Sequence, residues 1–297
     1  MTKQLPRPFL KYAGGKRWLA PTIVQDLLPK DWNGVYFEPF LGGGAVFWEL
    51  CRSGKIKEAT LSDCNDDLIC AYAAVKYNTP EVIDFLKTLK NSPECYTEVR
   101  DTFNASSKYN LDFEPMMEEQ TYEFCTNNEI ELAARFIYMN HSGYNGLVRY
   151  SKKGKYNVPF DKSKAGKEVF ADESLLTSCA ENLKVANLYS GDFDQVLAKV
   201  KAGDLVYLDP PYVPVSKTSN FTTYTGNGFD EQEQTVLASL FSELKSMGVY
   251  AIASNSNTPL VRDLYKSHRA FEVTTKRRIN SDASKRGDIQ ELLILNW

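Results

Sequence analysis

Short unbroken apolar runs, each closed by turn residues, alternate with stretches in which apolar residues recur every three to four positions. That is the signature of an α/β chain. Val35-Tyr36-Phe37, the run into Asp63, and the segments 185–193, 204–212, 249–256, 271–277 and 290–297 predict strands. Helical spacing follows Gly14-Gly15 at Trp18, Leu19, Ile23 and Leu27, and it returns from Ala45 to Leu50. The segment "DEQEQTVLASLFSELKSMG" predicts a helix that Asp230 caps, Glu233 completes as a capping box and Gly248 ends. Thr258 and Pro259 predict another helix start. From Asp67 to about Ala171 the alternation stops. Leu132, Phe136 and Met139 keep helical spacing there, and "GYNGLVRYSKKGKYNVPF" predicts a hairpin turning at Lys152-Lys153-Gly154. We therefore expect a mainly helical insert, 67–170, within an α/β unit made from 1–66 and 171–297.

Composition narrows the class. The chain has 297 residues, 43% hydrophobic and 25% charged, an ordinary balance for a soluble globular protein. No apolar run approaches the ~20 residues of a membrane span. Six cysteines without a C-x-x-C pair, and only two histidines, argue against zinc and against histidine-centred hydrolysis. Reduced thiols in a cytoplasmic protein are expected. The net charge of −3 gives no sign of nucleic acid, so any DNA surface has to come from local clustering. Such a cluster exists: from Arg149 to Lys167 there are seven Lys or Arg and a single acid, Asp161.

Candidate chemistry sits where strands end. "VYLDPPYVP" stops a buried run at Asp209, because Pro210 and Pro211 cannot donate to a sheet ladder. The stiff turn holds the Asp209 carboxylate, the Pro210 carbonyl and the Tyr212 ring in a set relation. Upstream, "GVYFEPFLGGGAVFWEL" reads as strand, glycine turn and helix, a plan that brings backbone close to a nucleotide-like ligand. Asp63 ends the next strand, where an acid accepts hydrogen bonds from ribose hydroxyls. Lys16 after Gly14-Gly15 is suited to an anion, although the Walker spacing is absent.

Taken together, K-x-A-G-G-K, E-P-F-x-G-G-G, Asp63 and D-P-P-Y resemble the D12-class DNA adenine-N6 methyltransferases. The order glycine turn, insert, D-P-P-Y is that of their alpha group, and the hairpin and "SKTSNFTTYT" resemble the Dam-type members. The resemblance implies a Rossmann-like sheet with an antiparallel last strand and S-adenosyl-L-methionine as methyl donor. It makes 1–66 and 171–297 the catalytic, cofactor-binding domain and 67–170 the DNA-recognition domain. Tyr12, Ala13, Gly14, Lys16, Phe40, Gly42, Gly44, Asp63, Asp192, Phe193 and Asp209 occupy the family's cofactor positions. Asp209, Pro210, Pro211 and Tyr212 would face the target base. Lys11, Tyr144, Asn145, Leu147, Arg149 and Pro159 occupy base-reading positions, and Lys152, Arg277 and Arg278 would meet DNA phosphates. The resemblance further implies direct transfer to a flipped adenine, GATC as the site, and a monomer on double-stranded DNA in a bacterial or phage-encoded system. A separate cognate restriction endonuclease is left open.

Two other classes share the fold. A non-catalytic DNA-binding relative would be expected to lose Asp209 or Tyr212, and both are present. A nicotinamide oxidoreductase would carry G-x-G-x-x-G, whereas this turn reads Gly42-Gly43-Gly44.

Overall fold

The computed structural model describes residues 4–12, 14–106, 127–214, 229–276 and 288–297. Its centre is a seven-stranded sheet: β1 Tyr36–Glu38, β2 Ala59–Asp63, β3 Ala186–Ser190, β4 Leu205–Leu208, β5 Tyr250–Ser256, β6 Arg269–Lys276 and β7 Asp288–Leu295. The spatial order is β3-β2-β1-β4-β5-β7-β6. β3, β2, β1, β4 and β5 run parallel, and β7 lies antiparallel between β5 and β6. The α/β sheet matches the sequence pattern, and its antiparallel last strand is the one the family resemblance implies.

The strand order has a mechanical consequence. From β1 the chain first winds outward through β2 to β3, then returns to the other side of β1 to form β4 and β5. The crevice between the carboxyl ends of β1 and β4 is therefore the topological switch point, where open α/β sheets hold ligands. Alternate residues of β4 serve opposite faces of the sheet. Leu205 and Tyr207 join one buried cluster with Leu61 and Trp48, while Val206 and Leu208 join the other with Phe37, Leu237 and Phe241. Burial on both faces explains why these strands read as continuous apolar runs.

Helices flank the sheet. After α1 Ala20–Thr22 and α2 Ala45–Arg52, α3 Asp66–Tyr77 leaves β2 and is buried along most of its length. α4 Thr79–Thr88, α5 Pro93–Ala105 and α6 Asn127–Ser142 lie between β2 and β3 in the chain, with Phe136, Ile137, Tyr138 and Met139 fully buried. α7 Glu173–Leu183 and α8 Phe193–Leu197 border β3, and α9 Glu231–Ser246 carries the predicted Asp230–Glu233 capping box. α10 Pro259–Leu264 starts at Thr258, whose side chain accepts from Val261 N. Among the described residues, no helix is long and apolar enough to cross a membrane, and no group of side chains is arranged to hold a metal ion.

Two segments depart from the sequence expectation. The helix predicted after Gly14-Gly15 is three α-helical residues followed by a π-helical turn, Ile23–Leu27, and Trp18 is 40% exposed. The Lys16 carbonyl accepts from both Leu19 N and Ala20 N, which pins the helix start to Lys16. Lys55 Nζ satisfies the Val24 carbonyl that the wide turn leaves accessible. The hairpin forms, but as two isolated bridges, Gly143↔Phe160 and Tyr150↔Tyr156, rather than a ladder. A 3₁₀ turn at Tyr144–Gly146 takes the backbone in between, with Asn145 at φ 55°. Asparagine is among the few non-glycine residues that tolerate that region.

Candidate active site

Asp209 follows β4 directly and is bonded on one side only. Its Oδ1 accepts from Ser254 Oγ at 2.7 Å and pairs with Lys16 Nζ at 3.0 Å. Asp209 Oδ2 and the Pro210 carbonyl have no partner among the described residues. Lys16 is 4% exposed, although lysine is rarely buried unless paired. Its ammonium also donates to the Gly14 carbonyl at 2.7 Å, lies 4.0 Å from Glu291 Oε2 and sits 4.4 Å from the Tyr212 ring centroid. Tyr212 OH donates to Glu291 Oε2 at 2.9 Å. Burial pushes the Glu291 carboxyl above the usual range.

The turn carrying these groups is clamped from α9 and β5. Gln234 Nε2 donates to the Pro211 carbonyl at 2.8 Å, and Val213 N donates to Asn255 Oδ1 at 3.3 Å. Asn255 Nδ2 then donates to Gln234 Oε1 at 3.0 Å, so the two clamps brace each other. Beneath lies Glu38, whose Oε2 accepts from Tyr36 OH and Phe47 N. Burial raises its carboxyl to about 8, which favours its protonated form.

Across the switch point the glycine turn meets Asp63. Asp63 Oδ2 accepts from Gly42 N at 3.0 Å and Oδ1 from Asn65 N at 3.0 Å. Burial outweighs these bonds and raises the carboxyl to about 6. Gly42 has φ +47°, and a Cβ there would press on the Tyr12 ring at 3.0 Å. Phe40 stacks on Phe193 at 5.3 Å, beside Phe229. Asp192 stands exposed at the start of α8 and makes no side-chain cap bond. At the carboxyl ends of β1 to β4, contacts thus join Tyr12, Gly42 and Asp63, join Gly14, Lys16 and Asp209, and pair Phe40 with Phe193, while Gly44 starts α2 and Asp192 starts α8.

The structure brings Lys11 to the hairpin as well. Asn140 Nδ2 donates to the carbonyls of both Lys11 and Gly146, and Lys11 N donates back to Asn140 Oδ1. Gly146 packs so closely that an added Cβ would come within 2.5 Å of the Lys11 side chain. Burial, with Lys164 beside it, lowers the Lys11 ammonium to about 8. Tyr144, Asn145, Arg149, Lys152 and Pro159 are exposed on this element, and Leu147 is half-buried. Ala13, Arg277, Arg278 and the segment "SKTSNFTTYT" lie outside the described residues.

Sequence reading missed Glu291, Ser254 and Asn140, whose contacts join residues far apart in the chain. It also missed the Tyr150 hydroxyl, which donates to Asp67 at the start of α3 and ties the hairpin to the strand end that carries Asp63.

Comparison with known proteins decides the family. Residues 12–279 match the model of the D12 class N6 adenine-specific DNA methyltransferases. This chain belongs to that class. It is 38% identical over 295 residues to the type II methyltransferase M1.LlaDCHI of Lactococcus lactis subsp. cremoris, covering 98% of this chain and 95% of the relative. Identity is 37% over 306 residues to the type II methyltransferase M.MjaIII of Methanocaldococcus jannaschii, with 98% and 99% covered. The DNA adenine methylase of Escherichia coli is 34% identical over 293 residues, with 97% and 95% covered. The chain is therefore an adenine-specific DNA methyltransferase with S-adenosylmethionine as methyl donor. The crevice fits that cofactor. A buried carboxylate meets the glycine turn where ribose hydroxyls need an acceptor, and the Phe40–Phe193 pair offers apolar faces to a purine.

Proposed function

We propose that this methyltransferase modifies the adenine of GATC in duplex DNA, with Asp209 and the Pro210 carbonyl as the two acceptors that activate the adenine amine. The observation that carries the mechanism is the one-sided bonding of Asp209. Lys16 and Ser254 hold Oδ1, while Oδ2 and the neighbouring Pro210 carbonyl stay open on a turn clamped by Gln234 and Asn255.

An adenine N6 amine is a poor nucleophile because its lone pair is delocalised into the ring. Two acceptors, one for each N–H, localise that lone pair. S-adenosylmethionine, when bound, supplies an electrophilic methyl group on a sulfonium. The chain's own task is to fix the amine against it, which is positioning and electrostatics without a covalent enzyme intermediate. Lys16 and Ser254 hold Asp209 in orientation through Oδ1. Tyr212, fixed through its hydroxyl by Glu291, stacks on the base. Tyr12, Phe40, Asp63, Asp192 and Phe193 hold the cofactor.

The amine of a paired adenine cannot reach this turn within the helix stack, so the base is extruded. Tyr144 fills the gap, a role that its 53% exposure at the 3₁₀ turn supports. Arg149 has the fork that matches guanine O6 and N7, and Leu147 and Pro159 suit thymine methyl groups. Lys11 reads a base beside the catalytic pocket. Residues 67–170 act as the recognition domain and the remainder as the catalytic domain. One chain supplies both elements and works as a monomer on DNA.

The test is transfer of label from S-adenosylmethionine to duplexes carrying GATC and each single-base variant. GATC should be preferred, with N6-methyladenine as the product. Preference for another adenine-containing site would overturn the specificity and leave the chemistry standing.

A further inference from the structure

Arg149 and Asn157 oppose each other across the hairpin. Asn157 N donates to the Arg149 carbonyl at 3.1 Å. In return the guanidinium gives two donors to Asn157: Nε to Oδ1 at 2.7 Å and Nη2 to the main-chain oxygen at 3.1 Å. Both residues are exposed.

A guanidinium carries five N–H groups in fixed directions, so engaging one edge determines what the others can do. Here the edge that contains Nε is spent on the protein. The remaining parallel pair, on Nη1 and Nη2, is the end-on edge and has no partner among the described residues. That pair has the geometry of the guanine O6 and N7 acceptors. An unrestrained arginine on an exposed hairpin could offer either edge, or reach a phosphate instead, and would lose rotamer freedom on binding.

We propose that Asn157 is a positioning residue for sequence recognition: it locks the Arg149 guanidinium so that its end-on edge faces the base. The inference rests on the reading of Arg149 as a guanine reader. Asn157 itself need not touch DNA. Its side-chain oxygen sets the rotation of the fork, and its main-chain oxygen sets the depth.

The experiment compares kcat/KM on the recognition duplex and on its single-base variants for wild type, Asn157→Ala, Asn157→Asp and Arg149→Ala, each checked for an unchanged thermal melt. Asn157→Ala should lower discrimination about tenfold at the base pair where Arg149→Ala lowers it. Discrimination elsewhere should stay within about twofold. Asn157→Asp keeps the acceptor, so it should restore the ratio at that base pair while its charge weakens DNA binding evenly on all sequences. An unchanged ratio in Asn157→Ala beside a lowered one in Arg149→Ala overturns the role of Asn157 alone. So does an even loss on every sequence, or failure of Asn157→Asp to restore the ratio. If Arg149→Ala leaves every ratio intact, the guanine reading falls and takes this inference with it.

Discussion

The crevice around Asp209 and the hairpin around Arg149 are built to opposite rules. In the crevice Lys16, Glu38, Asp63, Ser254 and Glu291 are buried, and long-range bonds tie the strand ends together. Lys16 meets Asp209, Ser254 braces Asp209 from β5, and Glu291 reaches Tyr212 from β7. On the hairpin Tyr144, Asn145, Arg149 and Lys152 are exposed, two bridges hold the backbone, and Asn140, Asn104 and Tyr96 anchor it to the helices behind. Fixed acceptors suit a reaction that is the same on every substrate. An exposed surface element suits a task that depends on which bases arrive. The two regions still touch, because Lys11 packs on Gly146 and Tyr150 bonds Asp67.

The largest effect should come from Asp209→Ala. In the proposed mechanism its carboxylate acts on the reacting amine, so its loss belongs to the transition state. We expect kcat to fall by on the order of a thousandfold or more, with the DNA dissociation constant changed by only a few-fold. Turnover close to wild type would remove the chemistry from the crevice.

Asp63→Ala should act on binding instead. The cofactor KM should rise by about tenfold, more than kcat falls. In the wild type, burial holds this carboxyl at about 6, so it is ionised above that pH and protonated below it. Cofactor affinity should therefore fall as pH drops through about 6, and the variant should lose that limb. Isothermal titration across the range checks both. An unchanged cofactor affinity in the variant would mean that Asp63 does not hold the ribose.

A smaller effect sharpens the hairpin side. Lys152, Lys153 and Lys155 are exposed around its turn. Each lysine that meets a phosphate should flatten the dependence of log K on log salt by about 0.9 when neutralised. An unchanged slope in the triple glutamine variant would place that turn away from the DNA backbone.

Much of the crevice was legible in the sequence because strand ends carry strong punctuation. Pro210 and Pro211 had to stop β4, the glycine turn had to follow β1, and Asp230 with Glu233 marked the start of α9. Those signals are local. Glu291 and Ser254 sit in β7 and β5 with nothing beside them to mark a role, and only strand pairing brings them to Asp209 and Tyr212. Asn140 hides in the apolar run of α6, and its partner Lys11 lies 129 residues away. The π turn at Ile23–Leu27 was illegible for another reason. Its apolar spacing is close enough to an α-helix that only the hydrogen bonds tell them apart.

The central claim is that the buried crevice performs the transfer whatever the sequence, while the exposed hairpin chooses the site. The most direct measurement is the rate of label transfer by Arg149→Ala to two duplexes, one with GATC and one altered at the guanine that the proposal assigns to Arg149. The account predicts that both are methylated and that their ratio falls toward one, a loss of about 1–3 kcal/mol of discrimination. An equal loss of activity on every sequence, with the ratio kept, would contradict it and mark Arg149 as a phosphate contact.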